Sequence, residues 1–255
     1  MIDWAWRIPF LFSCVLVAVG VFVRLKLTEA PIFLAVLDES KSKTLPMMEV
    51  MVNHFKPFFL GILICISGYV LFYIMIAFSQ IYAKSAPIIS EAGYVMGLGF
   101  SPQIFTALLM FSSVSLAITI TISGKYIDKV GRRIWLIWTT VGVALFGLAL
   151  PYFLKNGTTV SLFWFLITGM GLIGMGYGPL ASFLPELFPT HARYSGASLT
   201  YNIAGLFGAS VAAIIALPLN ANYGLKGVGI YLTLNAVLSL IGLWFITETR
   251  DRQLL

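Results

Sequence analysis

The amino-acid sequence predicts an all-α polytopic membrane protein: a six-helix bundle preceded by one further transmembrane helix, seven spans in all. Three observations carry this. First, 59% of the 255 residues are hydrophobic and only 10% are charged. A soluble domain carries roughly 25% charged residues, so these charges could not cover a water-soluble fold of this size. Second, the apolar residues come in long blocks, near the ~20 residues that a membrane helix needs. Third, lysines and arginines crowd onto alternate connections between those blocks, as cytoplasmic loops do. The short alternating segments of a membrane β-barrel are missing.

The first span is Ile8–Val23, the shortest. Its flank holds Asp3 and Arg7 and no small-residue cleavage site follows, which excludes a signal peptide. Residues 1–24 therefore read as one transmembrane unit. Residues 25–56 read as a cytoplasmic linker, with Glu29, Asp38, Glu39 and Glu49 among Lys26, Lys41, Lys43 and Lys56. Within it, "TLPMMEVMVNHFKP" repeats Leu45, Met48, Val52 and Phe55 at spacings of 3, 4 and 3, the pattern of a helix lying on the membrane face. Residues 57–255 form the bundle, with spans at Phe58–Ser79, Gln103–Ser123, Ile134–Leu154, Val160–Leu184, Ala197–Leu219 and Val228–Thr247.

Twelve of the 16 lysines and arginines lie on one set of connections and four on the other. That places Gly124–Arg133 and the C-terminus in the cytoplasm and Met1 outside. The net charge of +6 follows from this topology and needs no nucleic-acid partner. An external Met1 without a signal peptide implies further spans before residue 1 in the natural polypeptide or its ancestor.

Polar side chains inside a span are costly and face a cavity or another helix. Tyr69, Tyr73 and Gln80 share one face of the second span. Ser112, Ser115, Thr119 and Ser123 form a stripe on the third. Ser198, Tyr201 and Asn202 cluster on the sixth. Any single serine or threonine can simply bond back to its own helix. Three polar faces together imply a shared aqueous cavity, with Tyr69, Tyr73, Tyr201 and Asn202 as its candidate lining. The fourth span, "WLIWTTVGVALFGLAL", reads as lipid-facing, and the seventh holds only Thr233, Asn235 and Ser239 mid-span. No Asp, Glu, Lys, Arg or His lies mid-span. The chain thus offers no intramembrane proton carrier and no cation for a carboxylate.

The fifth span contains "GMGLIGMGYGP". Gly174 and Gly178 have the small-xxx-small spacing of close helix contact, and Pro179 removes a backbone hydrogen bond. This is either a packing seam or a flexing element of Gly174, Gly178 and Pro179 near a substrate path. Gly205 and Ala209 in the sixth span could seat a partner helix in the same way. Cys14 and Cys65 each lie in an apolar run and read as small buried hydrophobes. No disulfide, metal site or cofactor is expected.

The charge is concentrated in "GKYIDKVGRR", where five charged side chains fall within ten positions. Its pattern is Gly124, Asp128, Gly131, Arg132, Arg133. Anchoring on the cytoplasmic side needs the basic residues but neither the acid nor the glycine spacing. An acid at this place can pair with a helix N-terminus or an arginine. The next cytoplasmic connection, "PELFPTHARYSG", adds Glu186 and Arg193, with His191 expected to be exposed. Together they suggest a network of Asp128, Arg132, Arg133, Glu186 and Arg193 that holds the cytoplasmic side closed.

These residues carry a resemblance. "GKYIDKVGRR" resembles the signature loop of the major facilitator superfamily, in its second-half copy between helices eight and nine. "PELFPTHARYSGASLTYNIAGLFG" is similar to the connection between helices ten and eleven in the metabolite:proton symporter branch. "WRIPFLFS" followed by "RLKLTEAPIF" looks like that branch's sixth helix and its exit. The likeness runs from Trp4 to Asp251. It implies helices six to twelve of a twelve-helix transporter of two bundles, working by alternating access. It also implies a small metabolite, an organic acid or an osmolyte such as betaine or proline, moved with protons. The family's usual proton-coupling groups belong to the N-terminal bundle, so none is carried onto this chain. The expected partners are that substrate, protons, the lipid bilayer of a bacterial inner membrane and a missing N-terminal bundle.

A different reading is a non-transporting remnant, or a half that assembles with a separately encoded bundle. A membrane enzyme would need clustered His, Asp or Glu groups or a nucleophile with its base, and no catalytic group is expected. A channel would need charge rings or a filter-like loop, and neither is visible.

Overall fold

The computed structural model describes Trp4, residues 7–26 and residues 46–248. The chain divides into two units, Met1–Lys43 and Thr44–Leu255. In the first, α1 (Ile8–Lys26) is an apolar helix. Cys14 on it is exposed rather than buried, as a side chain on a lipid-facing helix would be. Most of the expected linker, including its acidic and basic run up to Lys43, lies outside the described residues.

The second unit starts with α2 (Pro46–Asn53), a short helix covering part of the amphipathic stretch. It is followed by α3 (Phe55–Lys84), α4 (Pro102–Val130), α5 (Arg132–Leu154), α6 (Thr159–Glu186) and α7 (Arg193–Phe245), each long and apolar enough to cross a membrane. α3 carries a π turn at Ile74–Phe78, and α7 carries one at Leu206–Ser210. The helices start where the sequence supplies a cap. Ser101 accepts a hydrogen bond from the Ile104 amide with Pro102 just inside α4, and Thr158 accepts one from Ser161 at the start of α6.

α7 has 53 residues, far more than the ~20 of one crossing. Gly224 breaks it, with φ 64° and ψ −166°. The contacts show a reversal there. A Cβ on Gly208 would sit 3.1 Å from the Ile66 carbonyl oxygen, and Ser239 Oγ donates to the Leu63 carbonyl at 2.6 Å. Residues 208 and 239 thus reach the same part of α3, although a straight helix would hold them about 46 Å apart. The two limbs of α7 cover the residues of the sixth and seventh expected spans, Ala197–Leu219 and Val228–Thr247, up to Phe245. A Cβ on Gly224 would also strike the Tyr94 ring at 2.6 Å, so both backbone and space require glycine there.

α4 packs along α6, the second limb of α7 along α5, and α3 lies against both limbs. The first of these seams explains the glycines of α6. A Cβ on Gly174 would meet the Leu116 carbonyl oxygen at 2.5 Å, and one on Gly171 would meet Ser115 Oγ at 3.0 Å. Ser115 donates to the Ile167 carbonyl at 3.2 Å, and Ser112, Thr119 and Ser123 bond back to their own helix. The serine stripe of α4 is therefore a helix contact, not a cavity wall. Small residues let the two backbones approach, and the hydroxyls are satisfied at the contact.

α5 also departs from the expectation. It is not simply lipid-facing: Leu136, Thr139, Thr140, Val143, Phe146 and Leu150 are buried on its inner side. Its threonines bond back to Trp135 and Leu136, so an apolar-looking run hides a packed face. Thr233 and Ser239 of α7 are spent in the same way, on the Ala144 and Leu63 carbonyls.

Candidate functional site

Two groups of side chains stand out, one at the Arg132 end of the bundle and one in its interior. The charged end begins with a one-residue break. α4 continues through Gly124, Asp128 and Lys129 to Val130, and Gly131 alone separates it from α5, with φ 101° and ψ 140°. The expected loop is mostly helix. Glycine supplies this backbone without a Cβ penalty, but it has no side chain to cap α5.

The cap comes from elsewhere. The Glu248 carboxylate accepts the Arg132 amide at 3.1 Å and the Arg133 amide at 3.1 Å. A Cβ on Gly131 would sit 2.9 Å from Glu248 Oε2. A negative charge on the orphan amides of a helix start is favourable. Glu248 thus ties the end of α7 to the start of α5. Reading the sequence missed it, since an acid just past the last span looks like a solvated end; the glycine at an uncapped helix start was the available signal.

The arginines diverge. Arg132 Nη2 is 2.9 Å from Glu186 Oε1 and 3.6 Å from Asp128 Oδ1. Arg132 and Glu186 are mostly buried, at 16% and 15% side-chain exposure, while Asp128 is 73% exposed. Arg133 turns the other way and donates to the Leu243 carbonyl at 2.7 Å and the Trp244 carbonyl at 3.1 Å. Arg193 donates to Thr190 Oγ1 at 3.4 Å, and its buried Nε has no hydrogen-bond partner among the described residues. The structure therefore brings together Asp128, Arg132 and Glu186. Arg133 joins α7 instead, because its position on α5 faces the second limb, and Arg193 stays with its own loop. His191 is not simply exposed: its Nε2 is 2.7 Å from Glu49 Oε1. Gly124 has open space where a Cβ would go.

The interior group is a tyrosine cluster. The Tyr69 and Tyr201 rings are 4.9 Å apart, and the Tyr201 hydroxyl donates to that of Tyr177 at 3.4 Å. They border a cavity of about 50 Å³, together with Cys65, Ser67, Gly68 and Thr139. That volume suits a water or two. Gly205 gives the Tyr69 ring its seat, since a Cβ there would lie 3.1 Å from the ring.

Two of the expected lining residues are elsewhere. Tyr73 donates to the Ala213 carbonyl at 3.4 Å, one turn past the cluster. Asn202 is exposed and donates to the Ser198 carbonyl at 2.8 Å. Tyr177 was missed; a single large polar side chain among the glycines of "GMGYGP" was its only signal. Gly174 and Gly178 pack on α4, and Pro179 is buried within a helix that continues to Glu186.

Comparison with known proteins identifies the family of the chain. The family model of the Major Facilitator Superfamily matches residues 1–213. A Haemophilus influenzae protein, provisionally named a metabolite transport protein, is 83% identical over 254 residues, covering 100% of this chain and 57% of that protein. The inner membrane metabolite transport protein YhjE of Escherichia coli is 39% identical over 253 residues, covering 99% of this chain and 56% of the relative. The proline/betaine transporter of Salmonella typhimurium is 26% identical over 264 residues, covering 99% of this chain and 50% of the relative. The chain thus spans little more than half the length of the curated relatives it matches. No solved structure matches it.

Proposed function

The chain belongs to the major facilitator superfamily, and from that premise we propose that it forms the second bundle of a secondary transporter for a small metabolite, moved together with protons by alternating access. The observation that carries the reading is the Asp128–Arg132–Glu186 line. Its inner end is anchored by a 2.9 Å pair between α5 and α6, while its outer end, Asp128, is exposed beside the open space over Gly124. That is the arrangement of a contact built to close against something outside this chain. In this reading the set is a cytoplasmic gate, the other surface is an N-terminal bundle, and the C-terminus lies in the cytoplasm of a bacterial inner membrane.

The Tyr69–Tyr177–Tyr201 cluster is the part of the substrate path that this chain contributes. Its cavity is too small to enclose a metabolite, so the remaining wall comes from the other bundle. Ring faces and hydroxyls suit a small organic acid or an osmolyte, and relatives named for proline and betaine transport support the osmolyte side of that range. No Asp, Glu, Lys, Arg or His lies mid-span, so in this reading the proton-coupling groups belong to the other bundle. Gly174, Gly178 and Pro179 then serve as a seam along which α6 can flex against α4.

The test is uptake into proteoliposomes by a two-bundle protein containing this chain, with organic acids, proline and betaine under an imposed pH gradient. Accumulation of at least one solute, abolished by collapsing the gradient, is expected. No uptake across the panel would contradict the proposal.

A further inference from the structure

Three side chains from two distant stretches of the sequence converge next to the connection between α6 and α7. Glu49 lies on α2, His54 is the residue between α2 and α3, and His191 stands within the connection. His191 Nε2 is 2.7 Å from Glu49 Oε1. One ligand atom from each of the three lies within 4.8 Å of the other two.

The backbone explains the convergence. In an unbroken helix, residues five apart point about 140° away from each other. Here α2 ends at Asn53, and His54 has φ −123° and ψ 33° before α3 begins. The break turns the His54 ring back toward Glu49. Among the described residues its imidazole has no hydrogen-bond partner, so a ring lone pair is available for a ligand.

We propose that Glu49, His54 and His191 bind a late first-row divalent cation, Zn²⁺ by preference. Two neutral imidazoles and one carboxylate are a borderline donor set that suits zinc. Zn–N and Zn–O bonds of about 2.0–2.2 Å put ligand atoms around a tetrahedral ion about 3.3 Å from one another. The 2.7 Å pair opens slightly and the third ligand closes in, which side-chain rotation can supply. Three protein ligands leave a fourth position for water or a small anion.

The ion would join α2 to the connection that separates Glu186, the last residue of α6, from Arg193, the first of α7. Its role is a clamp. It fixes the approach to α3 against the segment next to the Arg132–Glu186 pair and so restrains movement at that end of the bundle. Binding itself does not depend on the transport reading, and the two can fail separately.

The experiment uses the tag-free chain, purified in detergent and stripped with a chelator. Zn²⁺ is titrated by calorimetry, and Co²⁺ serves as a visible-absorption probe of low-coordinate nitrogen and oxygen ligation. One equivalent is expected to bind, with Zn²⁺ raising the melting temperature. H54Q and H191Q should each weaken binding at least about tenfold, in line with the 10–100-fold cost of perturbing a metal site, and should lose the melting shift. E49Q, which can still hydrogen-bond His191, separates ligation from packing and should weaken binding as well. Should a histidine variant melt well below the parent before metal is added, E49Q decides. Absence of saturable one-equivalent binding, or variant titrations that superimpose on the parent, would overturn the site.

Discussion

Arg132 Nη2 lies 2.9 Å from Glu186 Oε1, joining the first turn of α5 to the last turn of α6. Both side chains are mostly buried, so removing either takes a close partner from a partly desolvated charge. R132A or E186A should each lower stability by about 1–3 kcal/mol. For a chain of this size 1 kcal/mol moves the melting temperature by about 2–4 °C. The double variant should lose less than the sum of the two, because both single variants already remove the same 2.9 Å pair. Thermal unfolding of the four proteins in one detergent checks this.

The two glycines of the charged motif should respond in opposite ways. Gly124 lies within α4 with open space over it, so G124A should leave stability unchanged or raise it by about 0.5–1 kcal/mol. Gly131 has φ 101° and sits against Glu248, so G131A should cost about 1–3 kcal/mol. In a transporting two-bundle protein G124A should nevertheless reduce uptake, since the open space is where the partner bundle would seat. Melting curves and uptake rates measured on the same samples separate the two effects.

Y177F removes the hydroxyl that accepts from Tyr201 while keeping the ring. Little change in melting is expected, together with a rise in KM for uptake. Y73F, whose hydroxyl instead meets the Ala213 carbonyl, should leave KM near the parent value. Equal KM values for Y177F and the parent would remove the tyrosine cluster from the substrate path.

Much of the fold was legible in the sequence because the hydrophobic blocks are long. The ends of the spans were less so. Helix α4 runs seven residues past the expected Ser123 to Val130, since charges at a membrane surface continue a helix as readily as they end it. The function of polar stripes was harder still. Ser115 and Ser123 have the same composition and spacing whether they face water or a glycine seam, and only the partner helix decides. Glu248 and Tyr177 were missed for a related reason: each acts on an element distant in sequence, Glu248 on the start of α5 and Tyr177 on Tyr201. Asp128, Arg132 and Glu186 could be grouped because their motif placed them at one end of the bundle. Arg133 and Arg193 share that end but face other neighbours.

The central claim is that Asp128 closes the cytoplasmic side against a second bundle. Asp128 is 73% exposed and 3.6 Å from Arg132, a contact worth about 0.3–0.5 kcal/mol at a surface, so D128N should not disturb the fold. The decisive measurement is thiol labelling at G68C, with Cys14 and Cys65 replaced by serine. Position 68 borders the tyrosine cavity and has room for a Cβ. The protein is this chain joined to the part of its 83%-identical relative that it does not match. D128N should raise labelling by an impermeant reagent from the cytoplasmic side and lower it from the opposite side. Identical labelling from both sides with and without D128N would contradict the gate.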